Sequence, residues 1–126
     1  MGNRANVFVT DNGKDGVYLY THCGGDELPI IVKAALRKSW RWYDAPYLAR
    51  IIFDEMTAKC HGEETGFGIW FGLCDNEHLI VQVDCRKARV SFVPASDIAA
   101  KPLKVWSFAE YTVAAETEIL AAYRQE

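Results

Sequence analysis

The sequence predicts an α+β domain: an antiparallel sheet of about five strands with three helices packed on it, in the order ββααβββα. Three observations carry this. Short runs alternate apolar and polar residues between Gly, Asn and Asp turns, the period of half-buried strands. Longer runs space their apolar residues three and four apart, the period of amphipathic helices. The strands fall in hairpins and a meander instead of alternating singly with helices, which favours antiparallel pairing. The 126 residues are 50% hydrophobic and 25% charged, and fit a single domain over residues 1–126 with its own core.

The first strand is residues 5–10, rich in β-branched and aromatic side chains. Two glycine turns in tandem, Asp11 to Gly16, signal a hairpin back into Val17–Thr21. Val17, Leu19 and Thr21 share one face of that strand; Tyr18, Tyr20 and His22 share the other. Gly24-Gly25 ends it, and Asp26 is the expected cap of a helix whose stripe is Leu28, Ile31, Val32, Ala35 and Leu36, fading near Ser39 or Trp40. Asp44 caps a second helix with Pro46 in its first turn and Leu48, Ile51, Ile52 and Met56 as its buried stripe, to about Lys59. After a polar loop over 60–66, residues 67–73 alternate strictly. Gly68 and Gly72 on one face leave room for a helix or ligand to approach. Strands at 79–84 and 88–93 form a meander that Pro94 ends. Residues 94–105 read as a connection. Ser107 and Glu110 are spaced as a capping box for a final helix to about Arg124, with Phe108, Tyr111, Ala115, Ile119 and Ala122 on its inner face.

Net charge of −3 argues against duplex DNA as partner, because phosphate contacts reward a basic excess. No run approaches the ~18 apolar residues of a membrane span. The start of the chain lacks a signal-peptide core, and Asn6 stands where myristoylation needs Ser or Thr, so the expected location is the cytoplasm. Cys23, Cys60, Cys74 and Cys85 are then reduced thiols. Their gaps of 36, 13 and 10 intervening residues lack the paired spacing of a zinc site. No metal and no cofactor is predicted.

The most distinctive stretch is His22-Cys23-Gly24-Gly25-Asp26. A Gly-Gly turn between a strand and a helix either presents backbone N–H groups to an anion or serves as a tight left-handed turn, and the second reading is the plainer one. The anion reading needs a basic partner, which Arg4 or Arg50 can supply. Lys33, Arg37 and Arg41 recur every four residues and are interleaved with Trp40, Trp42 and Tyr43. That is ordinarily a solvated face, but the mixture also suits a partner protein or stacking on a base. No hydrolase, zinc-protease or nucleotide-binding loop motif is present.

Gly2-Asn3-Arg4-Ala5-Asn6-Val7 after Met1, followed by Gly16-Val17-Tyr18-Leu19-Tyr20-Thr21-His22 and Gly24-Gly25, resembles a family of short proteins of prophages and mobile elements. Tyr47-Leu48-Ala49-Arg50 and Glu64-Thr65-Gly66-Phe67-Gly68-Ile69 extend the resemblance to about residue 70. It departs at Cys23, where such families commonly carry an aromatic residue. In length and in its charged-aromatic surface the chain is also similar to the Thoeris anti-defence sponge proteins.

The resemblance implies a non-enzymatic accessory protein of a phage or mobile element, which binds a host defence protein or sequesters a small nucleotide signal. In the nucleotide version Arg4, Tyr20, His22, Gly24, Gly25 and Arg50 bind the ligand, with Trp42 or Tyr43 stacking on its base. In the protein version Lys33, Arg37, Trp40, Arg41, Trp42 and Tyr43 face the partner. Two alternatives stay open: a self-associating structural subunit forming a homo-oligomer, and a small hydrolase or transferase using His22 with Glu64 or Cys60.

Overall fold

The β-branched and aromatic run Ala5–Thr10 forms strand β1, buried along its whole length, and Gly16–Thr21 returns as β2 in register Val7 to Leu19. The hairpin between them closes on Thr10, whose hydroxyl donates to the Asp15 carbonyl at 2.6 Å. These coordinates are a computed structural model that describes residues 2–125; Met1, which heads the stretch carrying the resemblance, lies outside the described residues. A 3-10 turn at Gly25–Glu27 leads into helix α1 (Leu28–Leu36), and α2 spans Ala45–Thr57. Strands β3 (Phe67–Trp70), β4 (Ile80–Asp84), β5 (Arg89–Val93) and β6 (Lys104–Ser107) follow, then helices α3 (Phe108–Val113) and α4 (Glu116–Arg124).

The sheet has six strands in the order β3-β2-β1-β4-β5-β6, antiparallel except for the parallel pairing of β1 with β4. The mixed α+β class agrees with the sequence reading, but the strand and helix counts do not. Lys104–Ser107 was expected to be connection and final helix, yet pairs with β5 and puts Trp106 opposite Val90 in the core. The final helix is two helices, because Ala114 and Ala115 take extended backbone between them. The cause lies in two buried phenols. Tyr111 donates to the Pro29 carbonyl at 2.7 Å and Tyr123 to the Gly25 carbonyl at 2.9 Å. A continuous helix would hold residues twelve apart about 18 Å from each other along its axis, too far for carbonyls only four residues apart.

The helices cover one face of the sheet, where Val7, Val9, Leu19, Val81, Val83 and Phe92 meet Leu28, Val32, Leu36, Leu48 and Ile52. The other face is partly closed by Phe8, Tyr18, Ile80 and Val93, with Ala95 and Ile98 of the 94–103 segment over them. Phe8 and Tyr18 stack there at 4.7 Å. Both faces of β2 are therefore partly covered, with Leu19 and Thr21 buried on one and Tyr18 on the other.

Helix ends follow local chemistry. Asp44 accepts from the Tyr47 N–H at 3.3 Å, the expected cap of α2. Asp26 does not cap α1; its carboxylate instead accepts from the Asn3 side chain at 2.6 Å. Ser107 and Glu110 form the full capping box, with bonds of 3.0 and 2.8 Å. The Ser107 backbone N–H, then its hydroxyl, hold the Glu110 carboxyl below its usual range. Ser107→Ala is expected to lower stability by about 1 kcal/mol in urea unfolding, with Ser107→Asp restoring most of it, since a carboxylate also caps. An unchanged midpoint in the alanine variant would remove the cap from this account.

Candidate binding cleft

Antiparallel pairing of β2 with β3 sets Thr21 beside Phe67 and continues to His22, whose N–H donates to the Gly66 carbonyl at 2.8 Å. The polar loop after α2 is thereby carried to the end of β2. A cleft of about 630 Å³ opens there, lined by Tyr20, Thr21, His22, Cys23, Cys60, Glu63, Thr65, Gly66 and Phe67. Its size falls within the range of small-molecule sites. A second hollow beside the β1–β2 turn carries Asp11 and Asp15 in its lining, with no donor cluster like the one at His22.

Tyr20, His22 and Arg4 form one cluster. The Tyr20 hydroxyl lies 3.2 Å from His22 Nδ1, and Arg4 Nε donates to the same nitrogen at 3.4 Å. A guanidinium N–H donates and cannot accept, so Nδ1 offers its lone pair and the ring hydrogen is carried by Nε2. This cluster holds a guanidinium and an imidazole N–H able to donate to a ligand, while the Tyr20 hydroxyl gives its hydrogen to Nδ1. That suits a phosphate or carboxylate. It suits a general base less well, because the one ring lone pair is already engaged. Arg4 is itself fixed: its N–H donates to Glu77 at 3.1 Å, and its carbonyl accepts from the Glu77 N–H at 2.9 Å. A Cβ on Gly2 would fall 3.0 Å from His22 Cε1 and 3.1 Å from Arg4 Nε, so the chain passes close against both side chains.

The Gly24-Gly25 turn takes the plainer of its two readings. Gly24 adopts φ +71°, while Gly25 is buried and its N–H donates to the Asn3 carbonyl at 2.8 Å. A Cβ on Gly25 would sit 2.6 Å from that carbonyl oxygen, which is why the position is glycine. With this amide engaged, and Asp26 and Glu27 in the following turn, Gly24 and Gly25 make no anion cradle. Arg50 is not in the cleft either. It pairs with Asp54 on α2 and faces a groove with Val17, Leu19, Phe53 and Ile69.

The aromatic–basic set of residues 33–43 is dispersed. Lys33 caps the end of α3 by donating to the Ala114 carbonyl at 2.7 Å. Arg37 is the exposed residue that ends α1, so Arg41 lies beyond the helix, at φ +55°, stacked 4.4 Å over Tyr47. Trp42 is a structural plug, donating to the Leu36 carbonyl at 3.1 Å and meeting Phe108 edge-on. Trp40 and Tyr43 are exposed. Tyr43 sits near Asp11 and Asn12, at the opposite end of β2 from His22. Over six strand residues that is about 20 Å, so neither Trp42 nor Tyr43 can stack on a ligand beside His22.

Phe67 adds an apolar ring to Tyr20 and His22 in the lining of the cleft, and Cys60, Glu63 and Thr65 line it beside Phe67. The sequence pattern marks Phe67 as a strand residue and 60–66 as a polar loop, and neither signal places them at a site. The missing signal was the pairing of β2 with β3, which local patterning does not encode. Glu64, considered as a partner of His22, is exposed in the loop and does not line the cleft, whereas Cys60 does. Among the described residues no three His, Cys, Asp or Glu side chains gather to hold a metal, and no helix is long and apolar enough to cross a membrane. Comparison with known proteins finds no family model, no curated protein and no solved structure that matches the chain.

Proposed function

We propose that this chain is a non-enzymatic binding protein that captures a small nucleotide signal in the Tyr20–His22 cleft, acting for a phage or mobile element as an anti-defence accessory protein. The observation that carries the reading is the convergence of Arg4, Tyr20 and His22 beside a cleft lined by Phe67. Arg4 and His22 supply donors to phosphate, Tyr20 orients the imidazole, and Phe67 offers an apolar ring against a base. The accessory role rests on the resemblance of residues 1–70 to mobile-element proteins.

Native mass spectrometry of the protein purified from cells with active antiphage defences tests this directly. The expected spectrum shows a mass increment of nucleotide size, lost in Arg4→Ala and in His22→Ala through at least tenfold weaker binding, about 1.4 kcal/mol. Arg50→Ala is expected to retain it. Bare wild-type protein, or an increment indifferent to Arg4 and His22, would overturn the reading and turn attention to a host protein bound by the exposed Trp40–Tyr43 surface. Turnover of the captured nucleotide, abolished by His22→Ala, would favour instead an enzyme using His22 and Cys60.

A further inference from the structure

The geometry points to self-association of this protein through strand β3, two copies pairing antiparallel about Ile69 to join their sheets into one of twelve strands. β3 is an edge of the sheet, and an uncovered edge presents unpaired backbone groups. Which groups those are follows from its register. The His22 N–H to Gly66 carbonyl bond shows that Gly66 turns its backbone groups toward β2. Alternation along the Tyr20–Gly68 and Tyr18–Trp70 pairs then turns Gly68 and Trp70 the same way. Phe67 and Ile69 direct their N–H and C=O groups outward.

Edges that stay single usually carry a lysine, a proline or an inward charge. The β6 edge follows that rule: Lys104 begins it and pairs with Glu118, and Pro102 precedes it. The β3 edge has no such guard, since residues 65–74 contain no charged side chain and no proline. Instead Ile69 and Trp70 are each 55% exposed and Phe71 77%. With Leu73 they expose on the order of 500 Å² per copy, so a pair that covered them fully would bury about 1,000 Å², the lower bound for a specific interface.

The side-chain pattern selects a second copy as the occupant, because it is complementary to itself. A two-fold axis at Ile69 sets Ile69 against Ile69 with reciprocal backbone bonds, and Phe67 opposite Phe71 where the chain begins to bend. It also sets Gly68 of each copy opposite Trp70 of the other. A Cβ placed on Gly68 would meet only Tyr20 Cδ2, at 3.9 Å, so the position is a notch beside a ring. The indole of the other copy fills it, the arrangement by which an aromatic residue protects a strand glycine. An isologous contact of this kind closes after two copies.

Sedimentation equilibrium of the wild-type protein over 1–200 μM is expected to show a dimer, with Ile69→Lys a monomer because two ammonium groups would face each other across the axis. Trp70→Ala is expected to weaken the dimer at least tenfold, while Leu103→Lys, at another exposed apolar site, leaves it intact. Circular dichroism and thermal melts establish that each variant is folded; Trp70→Ala provides the reading should Ile69→Lys fail to fold. A wild-type monomer throughout the range, or dimers indifferent to both edge substitutions, would overturn the proposal.

Discussion

Raising the pH from 8 to 11 is expected to remove on the order of 6 kcal/mol of stability, enough to unfold most domains of this size. The cause is three acidic hydrogens that the folded chain keeps and the unfolded chain releases. Burial pushes the Cys85 thiol up to about 12, with the neighbouring carboxylates of Asp84, Asp11 and Asp44 adding to it. Burial likewise raises Tyr111 well above the ordinary phenol range, and raises Tyr123, to which Asp26 contributes further. All three are folded-state values above the unfolded ones, so the stability is complete at lower pH and is lost as the unfolded chain begins to ionise. For the thiol that begins near ~8.5 and for the phenols near ~10, each costing about 1.4 kcal/mol per pH unit beyond its onset. The decline should therefore have two slopes, a shallow one above pH 8.5 and a steep one above pH 10. Urea unfolding followed at intervals from pH 7 to 11 measures it. Cys85→Ala should abolish the first slope and leave the second, whereas a midpoint independent of pH up to 11 would show that these groups are not shielded.

The parts of the fold legible in the sequence are those decided within a few residues. The β1–β2 hairpin, the Asp44 cap and the Ser107–Glu110 box each depend on neighbours in the chain, and each forms as expected. What was not legible is decided at long range. The parallel pairing of β1 with β4 joins Val7 to Val81, and no turn or cap records it. β6 is four residues beginning just after Pro102, too short for alternation to declare itself. The break at Ala114–Ala115 contains neither glycine nor proline, because it serves two tyrosines and not a local preference.

The cleft divides in the same way. Alternation along β2 placed Tyr20 and His22 on one face, and the structure brings Arg4 to them. Cys60 and Phe67 reach His22 through the β2–β3 pairing, which spans more than forty residues of chain. The Gly-Asn-Arg-Ala-Asn stretch that opens the resemblance is largely structural. Asn6 donates to the Cys74 and Asp75 carbonyls and to the Asn76 side chain, at 3.3, 3.2 and 3.1 Å. Asn3 bridges Asp26 and His78. Its asparagines hold loops, and the arginine between them reaches His22, at the cleft's edge.

That division gives Tyr123 an unusual position, since it supports the core and the turn behind the cleft together. Its ring stacks on His78 at 5.3 Å, meets Phe92 edge-on at 5.3 Å, and its hydroxyl donates to the buried Gly25. Tyr123→Ala is expected to cost about 3–5 kcal/mol, the range for deleting a buried aromatic ring where the surroundings relax only in part. Tyr123→Phe keeps the ring and removes one donor, leaving the Gly25 carbonyl unpaired, and should cost about 1–2 kcal/mol. The two variants are expected to differ in where the loss is felt. The alanine variant shortens every protected amide's exchange time, because global unfolding becomes easier. The phenylalanine variant should show its first loss of protection at the Gly25 and Asn3 amides, which Gly25 N–H to Asn3 carbonyl and Asn3 N–H to His22 carbonyl bonds join at 2.8 Å each. Hydrogen exchange resolved by residue separates these outcomes. Equal, uniform losses in both variants would mean that the hydroxyl does no more than the ring, and that the turn carrying His22 is held by its own backbone.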